Sequence, residues 1–566
     1  MAFLLANRPI LKAAILYSLP ALFIGFILRA VLTYYYPYAY WSKDSFSFMD
    51  FSQSLFLDGK IFFNEKRRYT YPLFLTFAWF IPLPLLKVLP VVQHLIGLTN
   101  VVVMGWVCLR TLYCGKILII PVTILLAVHG NLIAYEHTIL AEFLTFTLVT
   151  FSLAGWVKWR SGFTPQRQRN NVSVGLHHNT SDLWWHLIPF ALLLLLKPSM
   201  RFLLPGWIFA LALTGAWRTF RPAHYISMAV VIFLCLFTMG EESQGWRLLL
   251  TTAFPGLRVE GSRHPELVAQ AQPLIDAARA NLRAYHITDK EIKLLTEKPA
   301  LFPKYPAWAA LDGKKNQAKR HAIYRSLILE SIRNDPLLIP TISSLRLLTS
   351  SSRNYVYKFS KIEFLEAFDT RSRQVFLDRY KQKDRLFQRL YGVQSDQILQ
   401  NPEKYLSAFV RGSDPSVSAL VAFLEFTCQT TKLVSSTYDR ELNSIRVQIE
   451  PQLCFLIAGI LLLGLQKNYR AYIAPTFLSV LGCLFLTYCI GSTNPRFYAP
   501  FVPVQILLMA LPLDTLLCFF LRNRPSVQNL YELMQIPSNK SDGGGNFKLQ
   551  SLNPQYVKPN RNLRKQ

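Results

Sequence analysis

Apolar runs about as long as a bilayer is thick recur from one end of this 566-residue chain to the other. They lie near 11–33, 91–109, 117–134, 138–157, 184–198, 202–217, 223–240, 451–466, 471–490 and 498–520. A helix needs about 18–20 such residues to cross the hydrocarbon core. The pattern predicts an all-α polytopic membrane protein with about ten transmembrane helices. A composition of 51% hydrophobic and 17% charged residues excludes an ordinary soluble enzyme. The first run, Leu11–Val31, lacks a small-residue cleavage site and reads as a retained helix rather than a signal peptide.

One stretch, Pro72–Pro90, is apolar but carries Pro72, Pro82, Pro84 and Pro90, which interrupt helical hydrogen bonding. Charge distribution decides how it is counted. If it is interfacial or re-entrant, Arg8 and Lys12 fall on one side with Arg110, Lys116, Lys158–Arg169, Arg218, Arg221, Lys467, Arg470 and the basic tail. Retention of basic loops in the cytoplasm then explains the net charge of +28 without nucleic acid, which is not expected as a partner. If the stretch crosses, Lys158–Arg169 moves outside. The first arrangement is preferred, with both termini cytoplasmic and ten crossings in a bacterial inner membrane. The sequons Asn171-Val-Ser, Asn179-Thr-Ser and Asn539-Lys-Ser then all lie inside.

Four regions follow: an N-terminal membrane module, 1–240, with a first external loop at 35–72; a mainly helical extracytoplasmic domain, 241–450; C-terminal membrane helices, 451–521; and a basic, largely disordered tail, 522–566. Inside the insert, Pro265–Tyr285 and Lys319–Ile332 have helical apolar spacing. Asn334-Asp335-Pro336 ends one helix and opens another, Leu337–Leu348, which reads equally as a membrane-surface helix or a core helix. Little of the insert alternates as a strand would. Seven of the eight cysteines lie in or beside apolar runs, Cys428 alone in the insert, so buried, inert thiols are expected and no CxxC site is available.

Candidate chemistry concentrates on the external side. Asp44 opens a helix over Asp44–Gly59, where a carboxylate serves either as N-cap or as a catalytic base. Asp50, six residues on, points about 120° away around that helix. Asp58-Gly59 is a helix-ending turn. Lys66, Arg67 and Arg68 read as a solvated face or as a phosphate clamp. Glu142 lies inside an apolar run, where an acid is costly unless paired or facing a polar cavity. His137 reads first as a satisfied surface histidine. With Asp44 and Glu142 it offers a divalent-metal site, but no HxxxH or DxD spacing supports one and no cofactor is expected. Lys197 and Arg496 sit at external helix ends, where they snorkel, anchor the interface or converge on an anion.

The run Asp44, Phe48, Ser52, Leu55, Gly59 and Tyr71-Pro72-Leu73 resembles the first external loop of GT-C glycosyltransferases, in the style of protein O-mannosyltransferases and lipid A aminoarabinose transferases. Glu142, Lys197-Pro198, Arg496-Phe497 with Pro500 and Pro503, and Ile332–Pro336 resemble further short motifs of that family. The resemblance leaves most of the insert unexplained. Two departures stand out: Asp44 is followed by Ser45 where many members carry an acidic pair, and Lys197 replaces an arginine, losing its two-pronged fork.

The resemblance implies transfer of a sugar from a polyprenyl-phosphate donor to a lipid, glycan or protein acceptor, with inversion. Asp44 would be the base and Glu142 the second catalytic acid. Arg496, Lys197, Arg67, Arg68 and Lys66 would hold the donor phosphate, with Asp50, Tyr71 and His137 in support. Membrane lipids surround the site. The competing expectations are a transporter or lipid-linked-sugar flippase, and a ligase that uses a late external loop.

Overall fold

The computed structural model describes residues 8–40, 45–59, 70–161, 181–196, 198–214, 222–237, 243–283, 290–313, 316–351, 384–394, 415–439, 444–489 and 501–522, with single residues 217, 397 and 498. Asp44, Lys66, Arg67, Arg68, Lys197 and Arg496 lie outside the described residues, as do the sequon asparagines Asn171, Asn179 and Asn539 and the tail beyond Arg522.

In chain order the helices are α1 (Arg8–Tyr35), α2 (Ser45–Asp58), α3 (Thr70–Trp79), α4 (Leu85–Thr111), α5 (Gly115–Val128), α6 (Gly130–Glu136), α7 (Ala141–Ser161), α8 (Ser181–Leu194), α9 (Leu203–Thr214) and α10 (Pro222–Phe237). The insert contributes α11 (Ser243–Ala253), α12 (Pro265–Arg283), α13 (Lys290–Glu297), α14 (Pro306–Ala309), α15 (Gln317–Asn334), α16 (Leu338–Ser351), α17 (Asp384–Tyr391) and α18 (Pro415–Cys428). An antiparallel ribbon of β1 (Val434–Asp439) and β2 (Ser444–Ile449) leads into α19 (Pro451–Leu465), α20 (Lys467–Cys489) and α21 (Val502–Arg522). The ribbon is the strand pair found among the described residues of an otherwise helical insert. It pairs Val434 with Ile449 and Ser436 with Val447.

The expected apolar runs are helical over most of their described residues. Among the described residues four helices are long and apolar enough to cross a membrane: Pro9–Tyr35, Leu85–Thr111, Tyr469–Tyr488 and Val502–Leu521. The pair α5 and α6, bent by 51° at a short break, makes a fifth if it counts as one span. Helices α8, α9, α10 and α19 are apolar but shorter.

The proline-rich stretch is not one piece. Helix α3 ends at Trp79, and α4 starts at Leu85, six residues before the expected start of that run. Helix α3 has ten residues and is about 15 Å long, too short to cross. Pro90 lies inside α4 without breaking it. The carbonyl that a proline orphans is the one four residues back, and here that oxygen, on Leu86, accepts the backbone N–H of Ala39 at 2.7 Å. The same device recurs in α20, where Pro475 frees the Ala471 carbonyl and the Trp156 indole donates to it at 2.9 Å. At both prolines another element reaches into the helix.

The real break falls where none was expected, at His129-Gly130. The end of α18 docks there. Gly130 N–H donates to Thr427 Oγ1 at 3.0 Å, and His129 Nε2 meets Thr431 Oγ1 at 2.8 Å. A Cβ on Gly130 would collide with the Leu424 carbonyl. The segment 415–431 is thus packed into the helix bundle, and Gln505 Nε2 of α21 holds the Thr431 carbonyl at 2.8 Å from the other side.

Helices α11 to α15 enclose their own core, centred on Phe254, Val268, Ile275, Trp308, Tyr324 and Leu327. Helices α12 and α15 match the amphipathic segments expected, and α15 ends at Asn334 with Asp335 Oδ1 accepting Leu337 N–H, as the Asn-Asp-Pro signal implied. Helix α16 is not simply a surface helix. It packs on α20, and Arg346 is buried, donating to Thr252 Oγ1 at 2.6 Å and to the Tyr488 carbonyl at 3.2 Å. The thiols also depart from expectation: Cys108, Cys114, Cys428 and Cys483 are buried, but Cys454 is exposed beside Phe455, Ile457 and Leu461 on the outer face of α19.

Candidate functional site

The loop before α2 and the turn between α6 and α7 run side by side. Tyr40 and Thr138 form an isolated parallel bridge, with Tyr40 N–H on the His137 carbonyl at 2.8 Å and Ile139 N–H on the Tyr40 carbonyl at 2.9 Å. Ser45 Oγ donates to the Ile139 carbonyl at 2.8 Å. Tyr40 and Ser45, the described residues that bracket the candidate base in sequence, are therefore both tied to the segment leading into Glu142. Glu142 sits in the first turn of α7 and is buried.

The neighbouring motif residues pack together. The Phe48 ring on α2 meets the Tyr71 ring on α3 edge-on, with centroids 5.1 Å apart. Trp79 Nε1 donates to Ser52 Oγ at 3.2 Å, so the small residue at 52 lets α3 approach and also receives its indole. Gly59 takes φ of +62°, a left-handed turn that glycine makes without Cβ strain, which ends α2 where Asp58-Gly59 implied. Tyr71 is fully buried. Burial pushes its phenol well above the usual tyrosine range, and the Glu142 carboxylate adds to that shift. Tyr71 and Glu142 thus lie within electrostatic reach of each other. Asp50 is half-buried on α2.

Behind this layer lies a polar core in which Arg29, Gln93 and His94, none of them among the expected site residues, join Tyr71, Glu136 and His137. The Tyr71 hydroxyl donates to Gln93 Oε1 at 3.2 Å, and Gln93 Nε2 donates to the carbonyls of Glu136 (2.6 Å) and Thr138 (3.2 Å). The Glu136 carboxylate accepts Arg29 Nε at 2.7 Å and Nη2 at 2.8 Å. His94 Nδ1 lies 2.9 Å from Glu136 Oε2, and its Nε2 lies 3.1 Å from His137 Nδ1. An ionised carboxylate only accepts, so His94 carries a proton on Nδ1. His137 is fully buried rather than at the surface, because the bridge to Tyr40 folds the turn inward over α4.

Arg29 also donates Nη1 to the carbonyls of Gly25 (3.1 Å) and Ala127 (2.7 Å). The Ala127 carbonyl loses its helical partner at the α5–α6 break, so the arginine satisfies an oxygen the bend exposes. Glycine at 97 makes room for this: a Cβ there would run into the Glu136 carboxylate. The signal for Arg29 was available. A lone arginine in the first apolar run is as costly as the acid at Glu142, and it called for a buried partner.

His137, weighed above as a metal ligand with Asp44 and Glu142, is turned into the His94–Glu136 chain, and Asp44 lies outside the described residues. Among the described residues the donor group spaced for a metal is elsewhere: Cys114, Asp514 and Cys518. No protein-family model, curated protein or solved structure matches this chain.

Proposed function

We propose that the chain is an integral-membrane glycosyltransferase of the GT-C kind, moving a sugar from a polyprenyl-phosphate donor to a lipid, glycan or protein acceptor at the extracytoplasmic face. The observation that carries this reading is the pairing of Tyr40 and Ser45 with the segment His137–Ile139. It ties Tyr40 and Ser45, four residues before and one after Asp44 in sequence, to the segment leading into the buried Glu142, beside the helices α2 and α3, where Phe48 meets Tyr71 and Ser52 meets Trp79.

In this reading Asp44 takes the acceptor hydroxyl's proton, and Glu142 with Tyr71 orients the acceptor or the base. Arg496, Lys197 and the Lys66–Arg68 cluster offset the growing charge on the departing phosphate. Ten crossings with cytoplasmic termini in a bacterial inner membrane remain part of the proposal. They rest on the basic loops and on the helicity of the apolar runs over most of their described residues.

A second reading, a transporter or flippase, is favoured by one specific observation. A span bent by 51° carries a buried Glu136 paired to Arg29 and His94, and broken helices with buried charge recur in transport paths.

Reconstitution with a radiolabelled polyprenyl-phosphate sugar separates the two. Sugar transfer by wild type and its loss in Asp44→Asn are expected. Transfer at the wild-type rate by Asp44→Asn removes the base assignment. Movement of the lipid-linked sugar across liposomes without turnover selects the transporter.

A further inference from the structure

At the end of the bundle away from the Tyr40–Thr138 bridge, the corner between α4 and α5 meets α21. Asp514 and Cys518 are four residues apart on α21 and so share one face of that helix. Cys114, the N-cap of α5, comes to the same face, with its Sγ 3.1 Å from Cys518 Sγ. One donor atom from each of the three lies within 4.8 Å of those of the other two.

We propose that Cys114, Asp514 and Cys518 form a binding site for a borderline-soft divalent cation of the zinc class. The site would clamp the last helix to the α4–α5 corner and leave a fourth position for water.

Three features argue for the cation. Two sulfurs and one carboxylate oxygen are donors that suit zinc rather than magnesium or calcium. Tetrahedral bonds of about 2.3 Å place two thiolate sulfurs about 3.8 Å apart, so the pair at 3.1 Å needs to open by about 0.7 Å. The carboxylate is already aimed. Oδ2 accepts Tyr469 Oη at 2.6 Å and Tyr113 N–H at 2.8 Å, and Oδ1 accepts Cys114 N–H at 2.6 Å, so the carboxylate is held facing the Cys114 thiol that would share the metal. Donors behind a ligating carboxylate are the usual means of fixing its orientation. No spacing motif announces the site, since its two cysteines are 404 residues apart in sequence.

The test uses the full chain, purified in detergent, reduced, stripped of metal and titrated with Cd²⁺. A thiolate-to-metal charge-transfer band that saturates at one cadmium per chain is expected. Cys114→Ser and Cys518→Ser should each abolish it, and Cys454→Ser should leave it intact. Tyr469→Phe should weaken binding about tenfold. A readout that needs no variant accompanies it: bound Cd²⁺ should slow alkylation of Cys518 in wild type and leave Cys454 unprotected. No band on the folded, reduced protein overturns the proposal, as does a band that survives both cysteine changes. Isolation of wild type with Cys114 and Cys518 joined as a disulfide also overturns it, because the pair is then a redox couple rather than a ligand set.

Discussion

Arg29 and Glu136, 107 residues apart in sequence, meet in the interior as a two-pronged ion pair, Nε to Oε2 at 2.7 Å and Nη2 to Oε1 at 2.8 Å. Both side chains are nearly excluded from solvent, at 3% and 1% exposure, so neither charge has water to fall back on. Removing one partner leaves the other buried and uncompensated, which costs about 3–5 kcal/mol. Arg29→Met and Glu136→Gln should each lower the thermal midpoint of the detergent-solubilised protein sharply. The double variant should lose clearly less than the sum of the two, since it leaves no lone charge. Additive losses in a thermal-melt cycle would show that the pair is not coupled.

Gly97 lies one turn beyond Gln93 and His94 on α4, and its missing side chain is what the Glu136 carboxylate occupies. Gly97→Ala should therefore destabilise by about 1–3 kcal/mol through overpacking, despite alanine's better helix propensity. Glu136→Asp, which withdraws the carboxylate by one methylene, should recover part of the loss in the Gly97→Ala background while being harmful alone. The check is the same melt, and an alanine variant at least as stable as wild type would contradict the packing.

The helices could be read from the chain because burial in lipid demands runs of apolar side chains, and such runs are local. The α2 helix, its Gly59 stop and the Asn334-Asp335 break were equally local, since capping and turn chemistry act within a few residues. What the sequence hid are features made by distant partners. The α5–α6 bend depends on Thr427 and Thr431, some 300 residues away, and the continuity of α4 through Pro90 depends on Ala39. Glu142 was found because an acid in an apolar run is conspicuous. Arg29, His94 and Gln93 obey the same rule, but their partners are spread over α1, α4 and α6 and no spacing connects them.

Tyr71 and Glu142 allow positioning to be separated from chemistry in the proposed transferase. Tyr71→Phe removes the hydroxyl's neutral hydrogen bonds, to Gln93 and to the Leu140 backbone, and keeps the ring contact with Phe48. The loss of such a bond is about 1 kcal/mol, so transfer should fall only a few-fold. Glu142→Gln keeps shape and removes charge, and should lower turnover about a hundredfold or more if the acid assists proton transfer. Reconstituted transfer assays, with folding verified by elution volume, measure both. Wild-type turnover in Glu142→Gln would take that residue out of the reaction.

Alkaline pH should reveal Tyr324, the phenol in the centre of the insert core. Its hydroxyl donates to the Thr296 carbonyl at 3.0 Å, and burial, with Arg320 and Arg247 pulling the other way, pushes its pKa up to about 12. In the unfolded chain a tyrosine loses its proton near pH 10. The folded pKa is the higher one, so the folded state holds a proton that the unfolded state releases. The tyrosine's contribution is then complete below about pH 10 and declines as pH rises towards 12, by about 1.4 kcal/mol per unit. Tyr324→Phe lacks both the hydrogen bond, about 1 kcal/mol, and this pH dependence. At pH 8 wild type should resist subtilisin cleavage within 265–328 better than the variant. By pH 11 that advantage should be gone. Cleavage sites mapped by mass spectrometry give the measurement, and an advantage for wild type that stays constant from pH 8 to pH 11 would mean that Tyr324 does not keep its proton in the folded core.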